Sequence, residues 1–422
     1  MKRNYGIVLL IMFIFFVISF LTNIIGPLVP EVIKGFNASK GMAGLLNFSF
    51  FIAYGVMSIP AGMLTEKYKE KKVLTLAFIL ATIGAFLFSF FPTFPIYLIS
   101  LFLIGLGMSI LQVAINPLLR VSGGEENFAF TSVLAQLFFG GASFLSPLLY
   151  SYLITNLNAG NTSNILLSTL NGLVPENLKW VSIYWIFGII SVAMVLLISM
   201  VRLPKVELNE DEKVGRFSTI AELFKNKYVV LFFFGIMAYV GTEQGVASWI
   251  SQFLADYHDM KPEVEGAHAI SQFWLLLTLG CFLGLGLLKL MDSKLVLRIF
   301  SVGAMISLAT ALFTGNGMVS YYGFIGVGFF ASVMWSVVFS LALNSIGSNH
   351  GAFSGILCSG ILGGAVVPLI VGVIGDAFGL RVGISFVFLT LSYILSISFW
   401  AKPLINNKTV SLKDIFKSGN SN

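Results

Sequence analysis

Residues 228–257 read YVVLFFFGIMAYVGTEQGVASWISQFLADY, an apolar run whose first ionisable carboxylate is Glu243 and whose next is Asp256. Roughly 20 apolar residues suffice for a helix to cross a hydrocarbon core of about 30 Å. This run is long enough, and it carries a single acid near its middle. A carboxylate at that depth is costly unless it is protonated, paired or facing a watery cavity, so Glu243 is a functional residue by default. The competing readings are a direct hydrogen-bonding contact to ligand hydroxyls and a buried structural acid bonded to a neighbouring helix.

Outward from this stretch the chain keeps the same character. Of its 422 residues 57% are hydrophobic and only 10% charged, far too few charges for a soluble surface of this length. In a bilayer only helices and closed barrels satisfy their backbone groups. Barrel strands alternate apolar and polar residues, and runs such as 186–200 do not. The expected fold is an all-α membrane protein with twelve transmembrane helices. The spans are expected at about 6–28, 42–64, 73–92, 95–118, 129–154, 181–202, 228–256, 267–290, 295–314, 319–346, 352–375 and 381–400. No small-residue cleavage site follows the first span, which is read as retained.

Of the 25 Lys and Arg, all but Lys34, Lys40, Lys179, Lys261 and Arg381 fall in segments on one side of this topology. The asymmetry puts both termini in the cytoplasm. Basic residues spread over short membrane loops give no footprint for nucleic acid. Cys281 and Cys358 lie inside spans and read as packing residues rather than a disulfide or metal pair. His258, His268 and His350 lack metal-ligand spacing, so no metal site is expected.

The charged loop at 203–227 divides the chain into a six-helix half at 1–202 and another at 228–402, with a polar tail at 403–422. The halves resemble one another. AFTSVLAQLFFGGA at 129–142 recurs as AFSGILCSGILGGA at 352–365, the fifth and eleventh spans. Matches at one shared offset and at equivalent topological positions mark an internal repeat. Two parallel six-helix repeats imply a pseudo-two-fold along the membrane normal, with the binding site near the midplane between them.

Between the second and third spans the chain reads GMLTEKYKEKK, residues 62–72. This resembles the acidic–basic signature loop of the major facilitator superfamily, with Glu for the usual Asp and Lys for Arg. The resemblance implies a gating role for Gly62, Glu66, Lys67 and Lys71, as a charge cluster at helix ends that latches the halves in one state. The plainer reading is an ordinary positive-inside loop. Further stretches are similar to the fucose–proton symporter branch and its bacterial glucose/galactose transporters: IPAG at 59–62, GLG at 105–107, AINP at 114–117, LAQ at 134–136 and YVGTE at 239–243. The resemblance implies the major facilitator fold, alternating access, residence in a bacterial inner membrane and cation-coupled uptake of a monosaccharide, a hexose or deoxyhexose. Fucose permeases carry carboxylates in spans one and four. Here those positions are Gly26 and Gln112, and a Gln cannot carry a proton. The glucose/galactose-like branch has its acid in span seven, where Glu243 matches. The coupling ion is left open between a proton and sodium, and no other cofactor is expected.

Neutral amides dominate the remaining polar residues of the spans, and each amide both donates and accepts, as a sugar hydroxyl does. The candidate substrate-binding residues are Asn23, Gln112, Asn116, Gln136, Gln244, Gln252, Gln272 and Asn344, with Trp249 and Trp335 for stacking on a sugar ring. Interhelical amide bonding is the competing role for each. Trp274 reads as packing; Trp180, Trp185 and Trp400 read as interfacial anchors. Asn116-Pro117 and Val367-Pro368 read as helix irregularities that aid gating. A sugar importer is thus the expected function and an exporter of amphipathic compounds on the same fold the alternative. A sensor would bring a larger soluble domain. An enzyme is not expected, because no nucleophile–base pair or metal constellation lies within the spans. The partners expected are a small sugar and the lipid bilayer, with no nucleic acid and a monomeric chain.

Overall fold

A computed structural model describes residues 5–124, 128–161, 164–204 and 217–404. Residues 1–4, most of the charged linker and the tail beyond 404 lie outside the described residues. Among the described residues, twelve helices are long and apolar enough to cross a membrane: Tyr5–Gly35, Lys40–Tyr68, Glu70–Phe90, Phe94–Gly123, Thr131–Asn158, Lys179–Met200, Lys227–Ala247, Pro262–Leu290, Ser293–Phe313, Gly317–Leu343, His350–Phe378 and Leu380–Trp400. They are numbered here as spans 1 to 12. Among the described residues there is no strand. Residues 5 and 404 lie on one face of the bundle, called the termini face; the opposite end is the far face.

Spans 3 and 4, 2 and 4, 3 and 6, and 1 and 5 pack together in the first half. Spans 9 and 10, 8 and 10, 7 and 11, and 9 and 12 pack in the second. The halves meet along span 2 against span 11 and span 5 against span 8. Lipid offers no hydrophobic drive between helices, so close approach and dispersion hold such contacts. Gly363 of span 11 shows the requirement: a Cβ there would overlap the Met237 carbonyl of span 7.

Several spans are interrupted. Span 1 breaks at Asn23-Ile24, because Pro27 has no N–H to serve the Asn23 carbonyl. Span 7 turns at Ser248-Trp249 and continues as Ile250–His258, where a continuous helix was expected. Span 10 turns at Ser332-Val333, and span 11 tightens into a 3₁₀ turn at Gly360–Leu362. The sequence suggested local helix irregularities at Asn116-Pro117 and Val367-Pro368 instead. The helices run unbroken through both Pro117 and Pro368. Outside the bundle, the Asn-rich loop before span 6 forms a short helix, Ile165–Leu173, capped by the Asn164 side chain. Trp180 is not an interfacial anchor. It is fully buried, 5.4 Å from the rings of both Phe88 and Tyr97.

The far face is closed across the two halves. Asp376 at the end of span 11 accepts from the backbone N–H groups of Lys40 (2.8 Å) and Gly41 (2.7 Å), the first residues of span 2. It thereby satisfies donors that a helix start leaves free, at the positive end of the helix dipole. Lys40 Nζ also pairs with Asp256 at 3.3 Å, and Gln252 donates to the same carboxylate at 2.6 Å. One layer deeper, Ser248 donates to Asn47 at 3.1 Å. Gly26 lies so close to span 7 that its Cβ would sit 2.6 Å from the Ala247 carbonyl oxygen.

Candidate functional site

A cavity of about 730 Å³ lies between the halves. Its lining residues come from the middle of the bundle and from the termini-ward ends of spans 5, 8 and 10; the far-face ends of the spans contribute none. The cavity therefore runs from the midplane toward the termini face and stops below the closed far face.

Polar groups line it along its length, and those at the deep end form two hydrogen-bonded clusters. On the first half, the break in span 1 presents Asn23, whose amide donates to Ser143 at 2.8 Å and Ser19 at 3.3 Å. The two serine hydroxyls share a 2.6 Å bond. On the second half, Glu243 accepts from the Tyr239 hydroxyl at 2.6 Å through Oε2 and from the Gln244 amide at 3.1 Å through Oε1. Tyr239 lies one helical turn before Glu243, which puts both side chains on one face. Its ring is 6.0 Å from that of Trp335, which stacks on Phe339 at 5.6 Å. Toward the termini face, apolar Phe282, Leu285, Leu288 and Leu343 stand beside polar Ser132, Gln136, Ser340 and Asn344.

Among the lining residues Glu243 is the single carboxylate, and no Lys, Arg or His faces it. The charge of an ionised Glu243 is met there by hydrogen-bond donors alone. Such a group can take up a cation, and its net charge then changes from −1 to zero within the cavity.

The cavity brings together Asn23, Gln112, Gln136, Glu243, Gln244, Trp335 and Asn344 of the residues picked from the sequence. It leaves out four. Asn116 is exposed outside the lining, its amide bonded to the Gln112 carbonyl of its own helix at 3.3 Å. Trp249 is fully buried and donates to the Pro368 carbonyl at 3.2 Å, so it packs spans 7 and 11 and stacks on no ligand. Gln252 serves the far-face ion pair, one turn past the break in span 7. Gln272 is half-buried and outside the lining. Conversely, Trp274 lines the cavity rather than merely packing, as do Tyr239, Thr278, Cys281 and Ser143. The one-turn spacing of Tyr239 and Glu243 was available in the sequence; the Ser143–Asn23 pairing, between residues 120 apart, was not.

In the signature loop Lys71 does not cross between the halves. Its ammonium donates to the Ser199 and Val201 carbonyls at 2.8 and 2.9 Å, capping the end of span 6 in its own half. Lys67 is exposed and lies over the Tyr68 ring at 5.2 Å; Glu66 is half-buried and Gly62 buried.

Twelve spans around a cavity between two six-helix halves define a membrane carrier rather than an enzyme. The sequence profile of the Major Facilitator Superfamily matches residues 11–360, and the chain belongs to that family. Among curated proteins it is 29% identical over 398 residues to the glucose/galactose transporter of Brucella abortus biovar 1 (strain 9-941), covering 93% of each chain. It is 25% identical over 384 residues to the L-fucose-proton symporter of Escherichia coli (strain K12), covering 87% of this chain and 86% of that one. Among solved structures, the E. coli fucose:proton symporter superposes with a TM-score of 0.67 at 23% identity, over 95% of this chain and 100% of the other. A bacterial homolog of the human lysosomal transporter Spinster gives 0.77 at 15% identity, over 94% and 96%.

Proposed function

We propose that this chain is a secondary active importer of a neutral monosaccharide, a hexose or deoxyhexose, driven by symport of a cation with Glu243 as the coupling residue. The observation that carries this is the lone carboxylate: Glu243 faces the cavity between the halves with no fixed cation among the lining residues. A movable cation that neutralises it lets the loaded carrier reorient through the apolar interior, where an uncompensated charge is costly. The amides and hydroxyls at the deep end suit a ligand rich in hydroxyl groups. The names of the curated relatives point the same way and away from an exporter of amphipathic compounds. The charge asymmetry of the loops supports a cytoplasmic termini face in a bacterial inner membrane, so that the cavity opens inward.

The test is uptake in proteoliposomes of glucose, galactose, fructose, mannose and fucose under a proton gradient, a sodium gradient or neither, for the wild type and Glu243→Gln. Accumulation driven by one gradient, lost in Glu243→Gln while sugar exchange persists, is expected; the effective gradient names the ion. Accumulation that survives in Glu243→Gln removes Glu243 from coupling. Failure to move any of the sugars in sealed, active vesicles refutes the importer reading.

A further inference from the structure

Glu243 is held entirely by its own helix. Gln244 occupies one carboxylate oxygen and Tyr239 the other, so the three groups move as a unit with span 7. Both Tyr239 and Glu243 line the cavity. A phenol has a single hydrogen to donate, and in the ionised, empty state that hydrogen is committed to Glu243 at 2.6 Å.

We propose that the Tyr239 hydroxyl is shared in turn between the coupling carboxylate and the sugar, so that cation binding at Glu243 redirects its O–H to a sugar hydroxyl. This rests on reading the cavity as a cation-coupled sugar site. The geometry allows the exchange. A proton arriving on Oε2 makes Glu243 the donor and the phenol oxygen the acceptor. A sodium ion bridging Oε2 and the phenol oxygen repels the phenolic hydrogen, which turns away from the ion and from Oε2. In either case the phenolic hydrogen loses its acceptor. A buried O–H without an acceptor is unfavourable, and the open cavity is where a new one can enter. The ring itself need not move: Tyr239 is 4% exposed and lies against Trp335, so only the hydroxyl rotates. Gln244 holds the other oxygen. The other titratable groups lining the cavity do not compete for the carboxylate. Cys281 of span 8 donates to the Ser332 carbonyl at 3.2 Å, and Tyr54 of span 2 lies on the opposite half. Tyr239 is thus a positioning residue for Glu243 in one state and a sugar contact in the other.

Tyr239→Phe removes one oxygen and keeps the ring. Sugar affinity is measured by calorimetry on the purified full chain in lipid nanodiscs, with the coupling cation saturating and depleted, alongside Tm. In the wild type the cation is expected to tighten sugar binding about tenfold or more. Tyr239→Phe, at unchanged Tm, is expected to bind with the wild type's cation-depleted affinity under both conditions. A Tyr239→Phe protein that keeps the full cation dependence overturns the proposal. So does one whose affinity falls equally below the wild type in both conditions, since the hydroxyl would then be a constant contact. A wild type that binds sugar equally with and without either cation refutes the coupled reading of the cavity itself.

Discussion

Removing the Asp376 carboxylate will open the far face more often. Asp376 joins the two halves through two charge-assisted bonds to the Lys40 and Gly41 N–H groups, which exist only while spans 2 and 11 are together at that end. Bonds to a charged group contribute about 1.5–3 kcal/mol each when protected from water. Asp376 is exposed, and water will replace it at both donors, so the pair together is discounted to roughly 1–2 kcal/mol. The Lys40–Asp256 pair remains in place. At about 1.4 kcal/mol per factor of ten, Asp376→Ala raises the population open at the far face by roughly 5- to 30-fold. The chain supplies its own reporter, since Cys281 lines the cavity. In a Cys358→Ser background, with vesicles of known orientation, a membrane-impermeant thiol reagent added at the far face will label Cys281 faster by that factor in Asp376→Ala. Labelling from the termini face will hardly change, because that state stays dominant. An unchanged far-side rate in a folded Asp376→Ala protein would show that the closed end is held by apolar packing alone.

The same reporter separates the signature loop from the latch: Lys71→Gln loses its two bonds to the end of span 6 and lowers Tm by about 1 °C per kcal/mol lost, while the sidedness of Cys281 labelling stays as in wild type. Gly26→Ala places a Cβ 2.6 Å from the Ala247 carbonyl, and overpacking of this kind costs about 1–3 kcal/mol in the far-closed state; far-side labelling of Cys281 rises, and an unaltered rate would mean the helices part without cost.

Hydropathy made the spans legible because crossing a bilayer is a one-dimensional demand on consecutive residues. The loop between 62 and 72 was legible as a motif, yet its parts could not be assigned from it. Lys71 has the same charge whether it latches the halves or caps span 6; which carbonyls lie within reach depends on how span 3 packs against span 6. Trp249 and Gln252 fell to a similar limit. Counted along an unbroken helix they follow Glu243 toward a common site, but the turn at Ser248-Trp249 sends Trp249 into the packing against span 11 and Gln252 to the far-face ion pair. Asn23 shows the converse: the break that exposes it follows from Pro27, four residues on, but its partner Ser143 comes from another span.

By itself the sequence determined an all-helical membrane chain of two related halves with one acid at mid-depth, since composition, run length and repeat offset are properties of the chain alone. Only the tertiary structure decided that this acid faces a cavity with no fixed cation among its described lining residues, that Tyr239 holds it, and that the far face is the closed one. Those facts depend on which helices meet across the two halves, and the contacts that decide it, Lys40 with Asp376 or Asn47 with Ser248, join residues hundreds of positions apart whose proximity no local pattern encodes.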